Sequence, residues 1–158
     1  MSNQTFINNQ CLFVLGDKMD LMVQKNTENI DWEEVKSLLI RTDMVAYPTE
    51  KHRQAFENST KVVFVFHGDI LIGCGRMLSD FAYQSVIYDV AVDVNSQGKG
   101  IGKKIMRELL EGEKDKNVLL YSTPGKEEFY TKLGFIPAKT GMCRFVHIES
   151  AKEKGFID

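Results

Sequence analysis

VAVDVNSQGKGIGKKIMRELLE occupies Val90 to Glu111. It opens as a valine-rich strand and breaks at Asp93, Asn95, Ser96 and Gln97. Three glycines follow, Gly98, Gly100 and Gly102, among Lys99, Lys103 and Lys104. Ile101, Ile105, Met106, Leu109 and Leu110 then recur at helical spacing, so the stretch reads as strand, glycine turn, amphipathic helix. A helix N-terminus presents unpaired N–H groups and the positive end of the macrodipole. Glycines adopt unusual φ values and let a ligand approach the backbone closely. Such a turn suits a phosphate. On residues alone it is equally a tight strand-to-helix connection.

The flanking segments read as one continuous alternation of elements, a single domain over residues 1–158. Cys11 to Leu15 and Leu21 to Gln24 are short apolar runs, strands or a frayed hairpin. Asp31 and Glu34 have capping-box spacing, with Ile30 and Val35 placed as a hydrophobic staple. The helix they open directs Trp32, Val35, Leu38 and Leu39 inward. A second helix starts at Thr49, after Pro48, and carries His52, Ala55 and Phe56. Lys61 to His67, the turn Gly68-Asp69 and Ile70 to Ser79 form a hairpin. Ser85 to Val94 is a further strand, Gly100 to Glu111 a helix and Val118 to Ser122 a strand. This βαβ unit predicts a parallel pair. Lys126 to Leu133 is a short helix with Gly134 as its left-handed cap. Phe135 and Cys143 to Ile148 read as final strands, an edge on which two subunits would pair as a homodimer. The predicted fold is α/β, with a mixed, mostly antiparallel central sheet and flanking helices.

Composition narrows the function. Twenty basic residues against 22 acidic ones give no bulk charge for nucleic acid. No apolar run reaches the roughly 20 residues that span a bilayer, and the polar start lacks a signal-peptide layout. Cys11, Cys74 and Cys143 are widely spaced, as are His52, His67 and His147, so neither a disulfide framework nor a metal site is expected. Reduced thiols and a cytoplasmic location fit that pattern.

The glycine stretch differs from two familiar phosphate loops. A P-loop requires Ser or Thr where Lys104 stands, and the dinucleotide fingerprint requires its third glycine one residue later than Gly102. Gln97-Gly98-Lys99-Gly100-Ile101-Gly102 instead fits Gln/Arg-x-x-Gly-x-Gly. With its lead-in Val90-Ala91-Val92-Asp93, it resembles the GCN5-related N-acetyltransferase superfamily. A second signature, Glu128-Phe129-Tyr130-Thr131-Lys132-Leu133-Gly134-Phe135, follows in the family's order. The likeness covers about Lys61 to Phe135. Two positions depart from it: Val94 stands where proline is usual, and Thr123 near where asparagine is common.

The resemblance implies acetyl-CoA as co-substrate. Amides of Gln97, Gly98, Lys99, Gly100, Ile101 and Gly102 would hold its diphosphate. Backbone of Val90, Ala91 and Val92 would pair with the pantetheine arm as an added strand. Thr123 and Phe129 would complete the cofactor contacts. The reaction implied is direct transfer of acetyl to a primary amine in a ternary complex. An alkyl amine with a pKa near 10.4 is uncharged at pH 7 in only about one molecule in a few thousand, so a base must remove a proton.

In the family, the tyrosine at Tyr130 protonates the departing thiolate; without the family, Tyr130 simply packs its helix. Asp89, a carboxylate inside an apolar strand, is either the base or half of an ion pair. Asp80 and Tyr88 are candidates for binding the amine. His52 reads as a solvated helix residue, and Cys74 and Cys143 as small core residues. GRMLSDFAYQSVIYDVAVD, residues 75–93, further resembles an aralkylamine-acetyltransferase-like branch, which points to a small-molecule amine. The alternatives are a protein lysine or N-terminal acetyltransferase, and a non-catalytic CoA-binding sensor.

Overall fold

The computed structural model describes residues 5–7, 10–15, 19–45 and 47–158, with side chains from residue 20 onward. The chain divides into two compact units, Met1–Leu119 and Leu120–Asp158.

The first unit is a seven-stranded sheet in sequence order. Its strands are β1 (Thr5–Ile7), β2 (Gln10–Leu15), β3 (Met19–Gln24), β4 (Lys61–His67), β5 (Ile70–Ser79), β6 (Gln84–Val92) and β7 (Asn117–Leu119). Every neighbouring pair is antiparallel except β6–β7, which is parallel across helix α3 (Ile101–Leu110). The mixed, mostly antiparallel architecture with flanking helices is the one the sequence predicts. The two N-terminal apolar runs pair as β2 and β3, and β1 is an addition.

Helix α1 (Trp32–Arg41) starts where Asp31 Oδ1 accepts from the amides of Glu33 and Glu34, at 3.0 and 3.2 Å. Glu34 pairs with Arg41 at 3.1 Å. Ile30 and Val35 are both buried, as a staple requires. Helix α2 (Thr49–Glu57) follows Pro48 and turns His52 and Phe56, one turn apart, inward. Strand alternation then divides the core. Val62, Phe64 and Cys74 join Val35, Leu38, Leu39 and Phe56 in one cluster. Gly73 and Gly75, of the opposite parity in β5, lie under Ile101, Ile105 and Leu109 of α3. A Cβ on Gly75 would come within 2.7 Å of Ile105 Cγ2, so the bare backbone lets α3 sit this close.

A buried polar group anchors the far end of α3. Glu113, 4% exposed in its side chain, receives Lys61 Nζ at 2.9 Å, Lys116 Nζ at 3.2 Å and Ser85 Oγ at 2.7 Å. Burial alone would raise its pKa; those three donors instead hold the carboxyl at about 2.

In the second unit, helices α4 (Glu127–Thr131) and α5 (Ile148–Glu153) are the regular elements. Three expectations are corrected here. β7 ends at Leu119, short of Ser122. Phe135 is not in a strand: its amide donates to Tyr130 O at 3.1 Å and closes α4, with Gly134 at φ 90 as the left-handed cap. Residues 143–147 also form no strand, and Ile148 opens α5. A strand exists only against a partner edge, and the second unit contains none among the described residues. The edge proposed for pairing two subunits is therefore not present.

Candidate active site

β6 is paired differently on its two sides. Along β5 it is matched from Ser79↔Ser85 to Gly73↔Val92. Along β7 it is matched only at Gln84, Ser85 and Val86. From Ile87 to Val92 no strand covers that edge among the described residues, so the edge is open to an extended ligand, apart from Val92 O, which accepts from Gln97 Nε2. Val90, Ala91 and Val92 lie on this open arm of the fork.

The opening coincides with a bulge. The β5–β6 register shifts between Cys74 and Arg76. Asp89 there takes φ 53, a left-handed conformation that an L-residue adopts at a cost. Its Oδ2 is bonded by Arg76 Nε. The Arg76 guanidinium lies 5.0 Å from the Tyr88 ring centroid and 5.9 Å from that of Phe56. Of the two readings of Asp89, the ion-pair partner is thus in place, and Oδ1 is left outside that bond. Sequence reasoning passed over Arg76. Counting residues back from the Asp80 turn would have set Arg76 opposite Tyr88.

Asp80 Oδ1 accepts from the amides of Ala82, Tyr83 and Gln84 at 2.8, 2.9 and 3.0 Å. These bonds lower its pKa. The carboxylate expected to bind an amine is therefore engaged, through this oxygen, in building the β5–β6 turn. His52 is corrected from solvated to buried, 5% exposed, with Nε2 accepting the Tyr47 amide at 3.2 Å. Its unprotonated nitrogen is occupied, and burial lowers its pKa. Cys74 is buried as expected, and burial pushes its thiol well up. Cys143, read as a core residue, is exposed.

The glycine loop begins where Asp93 ends the strand. The Asp93 amide donates to Ile72 O at 2.9 Å, and its Oδ1 accepts from Asn95 N at 3.0 Å. A single 3-10 turn, Val94–Ser96, results. Gln97 Nε2 donates back to Val92 O at 3.0 Å, and Lys99 Nζ to Asn95 O at 2.9 Å. Gly98 and Gly100 stand at φ 75 and 80, with open space where a Cβ would be. Gly100 caps α3 without any side-chain hydrogen bond, which leaves the first-turn amides to a ligand. Ile101 is buried as the helix's first anchor. Lys104 is also buried, so of the three lysines Lys99 and Lys103 are the ones exposed to solvent.

These features suit an anionic, extended molecule: a diphosphate on amides with the space of two glycines above them, and an amide-bearing arm along an unpaired strand edge. Coenzyme A has both parts.

In the second unit, Tyr130 is half-buried on α4. Its ring centroid lies 4.9 Å from that of Phe129 and 6.1 Å from that of Phe135. Burial raises its pKa, so the phenol keeps its proton at neutral pH. Thr123 is exposed, and its carbonyl accepts the Lys126 amide at 3.0 Å.

The sequence profile of an acetyltransferase (GNAT) domain matches residues 58–137, which include the fork, the bulge, the loop and Tyr130. An uncharacterised ycf52-like N-acetyltransferase of Prochlorococcus marinus is 30% identical over 143 residues, 85% of this chain and 79% of that protein. A Glycine max protein named as a histone acetyltransferase is 32% identical over 144 residues, 78% of this chain and 62% of its own length. The structure of a GNAT-family acetyltransferase from Streptococcus pneumoniae superposes with TM-score 0.67 at 26% identity, over 79% of this chain and 97% of that one. The chain therefore belongs to the GNAT acetyltransferases, enzymes that take the acetyl group from acetyl-CoA.

Proposed function

We propose that this acetyltransferase passes the acetyl group directly to a primary amine of a small molecule, both substrates being bound together. The observation that carries this reading is the coincidence of three features along β6 and the loop that follows it: the open edge, the bulge at Asp89 and the glycine turn without a side-chain cap. Acetyl-CoA supplies an activated acetyl group as a thioester. The first-turn amides around Gly98 to Gly102 hold the diphosphate, and Val90, Ala91 and Val92 orient the arm by backbone bonds.

Asp89 Oδ1 accepts the proton that an ammonium must lose before attack, directly or through one water, while Arg76 fixes the carboxylate through Oδ2. Tyr130 Oη holds the proton that a departing thiolate needs. Tyr88 and the β5–β6 turn built by Asp80 contribute to the acceptor side. The Cys74 thiol is buried and its pKa strongly raised, so it is no nucleophile, which supports direct transfer over an acetyl intermediate on Cys74.

A second reading, a protein lysine as acceptor, is favoured by the name of the Glycine max relative. Thiol release measured against a panel of aryl and alkyl amines and lysine peptides separates the two. Tyr130→Phe should lower kcat by about 10²-fold or more, the usual range for general acids, with KM for acetyl-CoA unchanged. An unaltered kcat refutes the acid assignment. Turnover on peptides alone refutes the small-molecule reading.

A further inference from the structure

Helix α1 touches the start of the glycine loop through one ion pair. Arg41 Nε lies 3.1 Å from Asp93 Oδ2, and its Nη2 lies 3.1 Å from Glu34 Oε1 on its own helix. Asp93 cannot be dispensed with as a carboxylate-shaped group, because its Oδ1 takes the Asn95 amide and folds the 3-10 turn from which Gln97 and Gly98 emerge. It is also a misplaced charge. Its side chain is only 15% exposed, and it leads into a loop whose amides suit an anion. A half-buried carboxylate in that position repels an incoming diphosphate, and water screens it incompletely. Arg41 is the cation paired with it. No residue of the loop itself takes that part: Lys99 Nζ is turned back onto Asn95 O.

Resting on the reading of the glycine loop given above, we infer that Arg41 is a positioning residue for coenzyme A: it neutralises Asp93 and ties helix α1 to the affinity of the diphosphate loop. Arg41 itself touches neither substrate. It acts through the charge and orientation of Asp93, so changes in α1 are felt as changes in cofactor affinity.

The test is calorimetric binding of CoA to the full chain as wild type, Arg41→Gln, Arg41→Lys, Asp93→Asn and the Arg41→Gln/Asp93→Asn double variant. KM and kcat are measured beside it for acetyl-CoA and for S-acetylpantetheine, which lacks the diphosphate. Arg41→Gln should weaken CoA about five-fold, the scale of one partly exposed ion pair, and more at low salt. The double variant should regain most of the loss, since asparagine keeps the amide acceptor without the charge. Arg41→Lys should stay close to wild type. KM for S-acetylpantetheine and kcat should not move.

Equal weakening toward both donors overturns the inference, as does a double variant no better than Arg41→Gln. Should Arg41→Gln fail to fold, the Lys variant and Asp93→Asn decide alone: a five-fold loss in Arg41→Lys, or weaker CoA binding by Asp93→Asn, overturns it. A wild type that does not distinguish CoA from pantetheine sinks the loop reading itself, and this inference with it.

Discussion

Glu113→Gln tests the base of the β6–β7 fork. Glu113 accepts from Ser85, beside the last β6–β7 pairs, and from Lys61 on β4, just after α3 ends. Its carboxyl is held at about 2 against an ordinary 4.5. That difference of about 2.5 units, at 1.36 kcal/mol each, amounts to about 3 kcal/mol of stability. The sign follows from a depressed carboxyl. The contribution is fully present above pH 4.5 and is lost as pH falls from there toward 2. Glutamine keeps the acceptor for Ser85 but removes the charge facing two lysines, so the variant should lose about the same 3 kcal/mol at pH 7.

With a urea m-value of about 2 kcal/mol/M for a chain of this size, the midpoint should drop by roughly 1.5 M at pH 7. The two proteins should converge as pH approaches 2. Urea titrations followed by far-UV circular dichroism at pH 7, 4 and 2.5 provide the measurement. A midpoint difference that stays constant across that range would refute the reasoning, because it would mean the carboxylate charge is not what the lysines and Ser85 stabilise.

Two further outcomes follow from the packing. Gly75→Ala places a methyl 2.7 Å from Ile105 Cγ2 and 3.2 Å from Leu109 Cδ1, so overpacking should cost about 1–3 kcal/mol, read as a fall of several degrees in Tm by calorimetry. His52, with its pKa lowered from 6.5 by burial, adds stability that is complete above pH 6.5 and declines below it. His52→Gln should flatten that part of the pH–stability curve, and an unchanged slope between pH 6.5 and 5 would contradict its burial as a neutral ring.

Much of the fold was legible because it rests on local patterns. The strand-turn-helix from Val90 to Glu111 declares itself through a change of hydrophobic period across glycines, and the structure places α3 within one residue of it at each end. β4 and β5 match their expected limits, since the Gly68-Asp69 turn sets the register from within. Asp31 declares α1 by the same local logic. The C-terminal segment departs from its expected strands. Apolar residues near Phe145 have a strand's composition, but composition does not supply an edge to pair with.

The site divides along the same line. Sequence alone determined that a glycine turn precedes a helix at residues 98–101 and that an ordered second motif holds Tyr130, because both are properties of consecutive residues. Only the tertiary structure decided what long-range contacts decide. Arg76 takes one oxygen of Asp89, His52 goes inside, and Arg41 meets Asp93 across 52 residues of chain. The physical reason is that a charge acquires its role from whatever the fold brings within about 3 Å of it, and period and propensity carry no record of that partner.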